Sequence, residues 1–194
     1  MAKERQTERR RLEDEQKRNA RKEVFSWVRM FVTVIVVVFV LTHFIIINAK
    51  VPSGSMENTI MTHDRLIGFR FAYWFEEPQR GDIILFEYPV DETQIYIKRV
   101  IGLPGETVQI KKGKVYINGK KLKSDIYGIT KYIDEPGIAE EPLELGKDEY
   151  FCLGDNRPVS YDSRYEEVGP VHRSEIIGKV WIRIWPLTKF GKVS

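Results

Sequence analysis

The sequence predicts a mostly β fold, an antiparallel β-sheet or coiled β-barrel-like domain preceded by one N-terminal transmembrane helix. Three observations carry this. A single apolar run near the N-terminus has the length of a bilayer span. After it, short strand-like segments recur between Gly, Pro and Asn turn signals. Beyond the run there is no amphipathic helical pattern of note and no internal repeat.

Residues 1–24 read as a charged cytoplasmic tail. Basic residues such as Arg9, Arg10, Arg11, Lys17, Arg18, Arg21 and Lys22 alternate with Glu4, Glu8, Glu13, Asp14, Glu15 and Glu23. Almost nothing there is apolar, so the tail is expected to be solvated or partly helical. Residues 25–49 read as the transmembrane helix. Its centre, Met30 to Asn48, carries no formal charge and spans roughly 28 Å as a helix. The run is rich in β-branched residues, which favour strand in water. Lipid offers the backbone no partners, and that forces helix. The run is longer than a signal-peptide core, and no small-x-small site follows it cleanly, so it is expected to be a retained anchor. Phe25 and Trp27 suit the near interface, and His43 reads as a tolerated polar residue. Basic residues crowd the front of the run, while Lys50 stands nearly alone behind it. That bias places the N-terminus in the cytoplasm and residues 50–194 outside.

The extracytoplasmic part is long enough to bury a core. Ile83 to Phe86 follows the turn Arg80-Gly81-Asp82 and reads as a strand. Gln94 to Ile101 is apolar on both faces, as in a buried strand. Leu103-Pro104-Gly105-Glu106 places Pro and Gly where a type II turn needs them. Thr107–Ile110, Val115–Ile117 and a partner after Asn118-Gly119 form a meander. Asp125 to Lys147 reads as an exposed loop. Glu149–Leu153 and Ile176–Trp185 are further strands. The aromatic group Phe69, Phe71, Tyr73, Trp74 and Phe75 fits either an apolar core strand or a surface that dips into the membrane interface; Trp181 and Trp185 pose the same choice.

Composition narrows the function. A net charge of +3 makes no case for nucleic acid. The lone Cys152 excludes an internal disulfide and, among apolar neighbours, reads as core. No His/Cys/Asp cluster has ligand spacing, so no metal or other cofactor is expected. Ser55, in Pro52-Ser53-Gly54-Ser55-Met56, is a candidate nucleophile, but a serine needs a base. His43 lies in the membrane run, and neither His63 nor His172 sits in an obvious motif. Lys98 is the other option. In a buried strand its ammonium is expensive, and losing the proton makes it a base. A lysine in such a strand can equally snorkel to solvent. The residues alone leave both readings open.

Four motifs in order weight the choice. They are Pro52–Met56, Arg80-Gly81-Asp82-Ile83, Tyr96-Ile97-Lys98-Arg99-Val100-Ile101-Gly102, and Gly154-Asp155-Asn156-Arg157 continuing through Ser160 to Asp162-Ser163-Arg164. With these the chain resembles bacterial type I signal peptidases from the anchor nearly to the C-terminus. The short gap between the last two motifs resembles the compact single-span form of Gram-positive bacteria. The resemblance implies a Ser/Lys-dyad endopeptidase with Ser55 as nucleophile and Lys98 as general base. It implies an oxyanion hole from the Ser53 hydroxyl and the Ser55 N–H, and a Ser160 hydroxyl that orients the lysine. It implies that Val51, Pro52, Met56 and Ile60 line the substrate pocket and that Asp162 and Arg164 form a structural pair near the site. The chain departs from the family pattern at two places: Asn58 stands where Pro is usual, and Pro158-Val159 where Asp-Asn is common.

The anchor and the serine fit one substrate. Ser55 lies seven residues past Asn48, at most roughly 25 Å of extended chain. The site is thus expected to work at the outer membrane face on preproteins with signal peptides, cut after small-x-small sequences. The substrate would lie extended along a strand edge, alternate side chains entering two small pockets. The partners expected are such preproteins and the bilayer, with no nucleic acid and a monomeric chain. Two rival readings are a cytosolic self-cleaving repressor-type protease with the same dyad and an inactive membrane-anchored binding module.

Overall fold

The computed structural model describes residues 2–193 apart from 124 and 126–131, with side chains from Lys17 onward. Two compact units meet in the chain between Phe44 and Ile45.

The first unit is helical. Helix α1, Ala2–Val40, continues as a π-helical turn over Leu41–Ile45. From Lys17 to Ile45 it is long and apolar enough to cross a membrane. Its large apolar side chains, Val28, Phe31, Ile35 and Phe39 among them, are exposed on all sides, as a lipid-facing helix requires. Thr33 and Thr42 donate their hydroxyls to the carbonyls of Arg29 and Val38 four residues back, leaving no hydroxyl to seek water. His43 stacks on Phe39, with ring centroids 5.2 Å apart.

The helix stops short of the boundary expected from the sequence. Residues 46–49 were expected to complete the span, but Ile46–Lys50 form strand β1. The reason lies in the partner. β1 pairs antiparallel with β2, Arg65–Phe69, through five successive residues, so its backbone groups are satisfied without helix. The same β-branched isoleucines that suit a lipid-bound helix suit this strand, and Ile47 is buried in the core.

In the second unit every strand pairing among the described residues is antiparallel. After β2 come β3, Ile83–Tyr88, and β4, Asp91–Gly102. A meander follows: β5, Thr107–Lys111; β6, Lys114–Ile117; and β7, Lys120–Lys121. Then come β8, Leu143–Glu144; β9, Glu149–Leu153; β10, Val171–His172; β11, Ile176–Trp185; and β12, Gly191–Lys192. The larger sheet has eight strands in the order β1-β2-β11-β3-β4-β9-β10, with β12 also on β11. The smaller has four, β7-β6-β5-β8. The turns are those the sequence signalled. Asn118 and Gly119 take φ of 50° and 73°, the left-handed pair a two-residue hairpin needs. Gly105 has φ 74°, and the Glu106 N–H closes the turn on the Leu103 carbonyl at 3.1 Å.

The segment 125–147 departs from the loop reading where it is described. Leu143–Glu144 pair with β5, and Ile133, Ala139 and Leu145 are buried against Val108, Ile110 and Phe151. Sparse apolar residues among acids hid a lid on the small sheet's core; residues 126–131 of the segment lie outside the described residues. Of the aromatic group, Tyr73 is buried and Phe69 half-buried, packed on Phe71 and Trp181 at 4.9 and 4.8 Å. Trp74 and Phe75 are 62% and 91% exposed, which rules out a core strand there.

Candidate active site

The β1–β2 hairpin carries Ser55 in its connecting loop. The hairpin closes at Lys50 opposite Arg65, and Val51 continues the pairing by donating to the Asp64 carbonyl at 3.0 Å. Inside the loop, the Glu57 N–H reaches the Gly54 carbonyl and the Ile60 N–H reaches the Met56 carbonyl, so the chain turns tightly past the serine. Asp64, itself buried, pairs with Arg183 of β11 at 2.9 Å and fastens the loop's far end to the sheet. Asn58 takes φ 88° in this turn. Proline is locked near −65°, so the family's usual residue does not fit this path.

Lys98 comes from β4, opposite Ile84 of β3. Its Nζ donates to Ser55 Oγ at 2.8 Å. The residue is only 4% exposed. Burial pushes its pKa down to about 8, against a smaller opposing pull from the Asp162 carboxylate. The snorkelling alternative is thus excluded by position: the amine points inward. The Tyr96 ring, stacked on Tyr88, lies 5.1 Å from the amine.

A cleft of about 550 Å³ opens in front of the pair. Val51, Pro52, Met56 and Ile60, the four expected pocket residues, all line it, as do Ser53 and Ser55. Met56 and Ile60 are fully buried beneath it and Val51 nearly so, which makes the floor apolar. Gln94, Ile95, Tyr96 and Ile97 of β4 form one margin. There β4 pairs with β3 on one side, while β9 joins its other side only from Arg99 onward.

The segment after β9 locks the two catalytic candidates together. Asp155 grips Arg99, the residue after Lys98, in a bidentate pair at 2.9 and 2.7 Å, and accepts from Thr59 of the nucleophile loop at 2.5 Å. Arg99 also donates to the Gly81 carbonyl at 2.8 Å. Asp162 pairs with Arg164 at 2.8 Å and accepts from the Gly154 N–H at 3.0 Å, while Arg164 caps the carbonyls of Arg157 and Ser160. All four charged residues are buried. Each charge is paired and hydrogen-bonded, the condition under which charge survives burial. Gly154 is glycine for want of space: a Cβ there would lie 2.4 Å from the Ser55 carbonyl oxygen and 2.1 Å from Ser160 Oγ.

Ser160 is the site residue the structure leaves apart. It is buried, yet its Oγ has no hydrogen-bond partner among the described residues, and no bond to Lys98 forms. Four residues at the site were given no role by the sequence reading. Asn156 donates its amide N–H to the Ser55 carbonyl at 3.0 Å and its side chain to the Gly54 carbonyl at 2.9 Å. Thr59 bridges to Asp155, and Val159 and Tyr161 flank Ser160 on the cleft wall. Asn156 stood inside a motif, but spacing does not say which atom a side chain reaches. His63 and His172 lie exposed, and His172 caps a short turn through Ser174. Among the described residues no cluster could hold a metal.

Comparisons with known proteins point to one family. The family model described as "Signal peptidase, peptidase S26" matches residues 24–185. A protein of Synechocystis sp. named "Probable signal peptidase I-2" is 35% identical over 87% of this chain and 78% of its own. The "Signal peptidase I" of Leptolyngbya laminosa is 40% identical over 74% of this chain and 71% of its own. The "Signal peptidase IB" of Staphylococcus aureus is 31% identical over 88% of this chain and 94% of its own. A match along most of the length, a serine in a lined cleft and one apolar N-terminal helix lead to one conclusion: the chain belongs to the signal peptidases of family S26, as a membrane-anchored serine peptidase.

Proposed function

We propose that Ser55 and Lys98 act as a Ser/Lys dyad that removes N-terminal signal peptides from exported preproteins, cutting after small-x-small sites through an acyl-enzyme. The observation that carries this is the 2.8 Å contact between Lys98 Nζ and Ser55 Oγ, in a place dry enough to hold the lysine near pH 8. The ammonium donates in that contact; the neutral amine accepts. As Ser55 Oγ attacks the scissile carbonyl carbon, its proton passes to Lys98. The Ser53 hydroxyl and the Ser55 N–H donate to the oxygen that becomes negative. The C–N bond then breaks, and Lys98 returns the proton to the departing amine. A water, deprotonated by Lys98, hydrolyses the Ser55 ester and frees the signal peptide.

The cleft supports the substrate class. Its Met56 and Ile60 floor is closed and apolar, suited to small side chains and hostile to charge. The free margin of β4 at Gln94–Ile97 offers backbone groups to an extended peptide, whose alternate side chains would enter the cleft. The exposed Phe71, Trp74, Phe75, Trp181 and Trp185 suit contact with the membrane interface. The basic residues before the anchor suit a cytoplasmic N-terminus, with the β unit outside. Ser160 would turn its unpartnered hydroxyl to the lysine once the neutral amine forms.

The test uses purified full chain in detergent and a preprotein bearing an Ala-x-Ala site. Ser55→Ala and Lys98→Arg should each lower kcat by roughly 10⁴-fold or more, since a dyad acts as a unit. The arginine keeps charge but supplies no neutral nitrogen. Cleavage by Ser55→Ala at the wild-type rate would remove the nucleophile; near-normal cleavage by Lys98→Arg would remove the base.

A further inference from the structure

In the loop that carries Ser55, the Gly54 carbonyl is held by a side chain from outside the loop. The Gly54 carbonyl accepts from the Glu57 N–H at 3.1 Å, a bond internal to the loop, and from Asn156 Nδ2 at 2.9 Å, a bond to the segment after β9. The first bond shapes the turn. The second fixes the turn in the frame of the large sheet, because the neighbouring Asp155 grips Arg99 beside Lys98.

What this carbonyl does matters for chemistry. Gly54 C=O and Ser55 N–H belong to one planar trans peptide, and in such a unit they point in opposite directions. Holding the oxygen aims the hydrogen. Among the described residues no acceptor takes the Ser55 N–H, so it remains free to donate. A hydrogen bond to the carbonyl also polarises the peptide and strengthens its N–H as a donor.

We infer that Asn156 is the positioning residue of the oxyanion hole, holding the Gly54–Ser55 peptide so that the Ser55 N–H faces the developing oxyanion. The inference rests on the Ser55/Lys98 reading above. Asn156 touches neither substrate nor the reacting atoms; it acts through the peptide plane. The backbone anchors survive its replacement, since the Asn156 N–H still reaches the Ser55 carbonyl and the Glu57 N–H still closes the turn. Side-chain variants therefore change the peptide's orientation while leaving the serine tethered.

Asn156→Ala and the isosteric Asn156→Asp decide the matter in the full chain in detergent. Asn156→Ala should lower kcat by about 10- to 100-fold with KM within about twofold, as expected for a donor that matters only when the oxyanion forms. Asn156→Asp should do no better, because it keeps the shape but offers an acceptor to the Gly54 carbonyl. A peptide aldehyde ending in Ala-x-Ala, whose Ser55 adduct carries the tetrahedral oxygen, should lose affinity by the same factor. A product-like peptide amide should bind unchanged, and the pH midpoint of kcat should stay where wild type has it. A role in packing alone predicts that Asp restores the rate, and that result overturns the inference. So does a rise in KM at constant kcat, a moved pH midpoint, or unfolding of both variants at the assay temperature. Ser55→Ala, run in parallel, separates the two questions: if it cleaves, the dyad reading fails; if it is inactive while Asn156→Ala cleaves normally, the assignment of Asn156 fails alone.

Discussion

The four-stranded sheet and the sheet around Lys98 are packed by opposite means. The small sheet buries Val108, Ile110, Val115 and Ile117 under Ile133 and Leu145, and among the described residues it contributes no charge to the interior. The region around Lys98 buries Lys98, Arg99, Asp155, Arg157, Asp162 and Arg164, drawn from two short stretches far apart in the chain. Hydrophobic burial is non-directional and tolerates small shifts. A paired buried charge adds little net stability but tolerates almost no loss, because its partner is left stranded. The molecule thus keeps its rigid, directional packing for the place where an amine and a hydroxyl must meet at hydrogen-bond distance.

Replacing residues in each region should separate the two modes. The largest effect is expected from Asp155→Ala, which takes the bidentate carboxylate from the buried Arg99 guanidinium: about 3–5 kcal/mol of stability lost in chemical denaturation, with cleavage abolished. Lys98→Met should act in reverse, inactivating the enzyme while stabilising it by about 3 kcal/mol at pH 6, the equivalent of holding the amine near 8 when its ordinary value is 10.5. Unfolded lysine keeps its proton up to about 10.5, whereas the folded one loses it near 8. Between those values the unfolded state binds more protons, so wild-type stability climbs with pH and the advantage of methionine fades. Activity of the wild type should rise over the same lower range, with kcat/KM climbing through about pH 8. In the small sheet, Val108→Ala should cost about 2 kcal/mol, with kcat within about threefold of wild type. Gly119→Ala should cost about 1 kcal/mol, because alanine resists φ of 73°. A large loss of cleavage in either small-sheet variant would show that the two regions are not independent.

The contrast also explains what could be read without a structure. The β5–β7 meander of the small sheet was legible because its rules are local: short strand-like segments lie between the turn signals Pro104-Gly105 and Asn118-Gly119, whereas β8 was hidden in the segment read as a loop. The Asp162–Arg164 pair was legible because its partners are two residues apart. Arg99 and Asp155 are 56 positions apart, and no period or spacing connects them. Strand β1 was hidden for a different reason. Isoleucine runs carry the same signal in a lipid-bound helix and in a strand, and only the pairing with β2 decides. The proposed nucleophile and base were named from ordered motifs, but the peptide plane that Asn156 holds, and the Ser160 hydroxyl, which has no partner among the described residues, depend on atoms that no motif specifies.

The backbone at Asn58 reaches beyond this one molecule. A protein engineer seeking a hardier variant often replaces an unusual residue by the one most common among its relatives, and proline in a loop is a favourite choice. Here that repair would be harmful. With φ at 88°, position 58 lies far from the only angle proline accepts, and the turn it belongs to runs between Ser55 and the Thr59 that Asp155 holds. The popular residue and this loop path are alternatives, so majority-vote sequence design applied to this chain should leave Asn58 untouched.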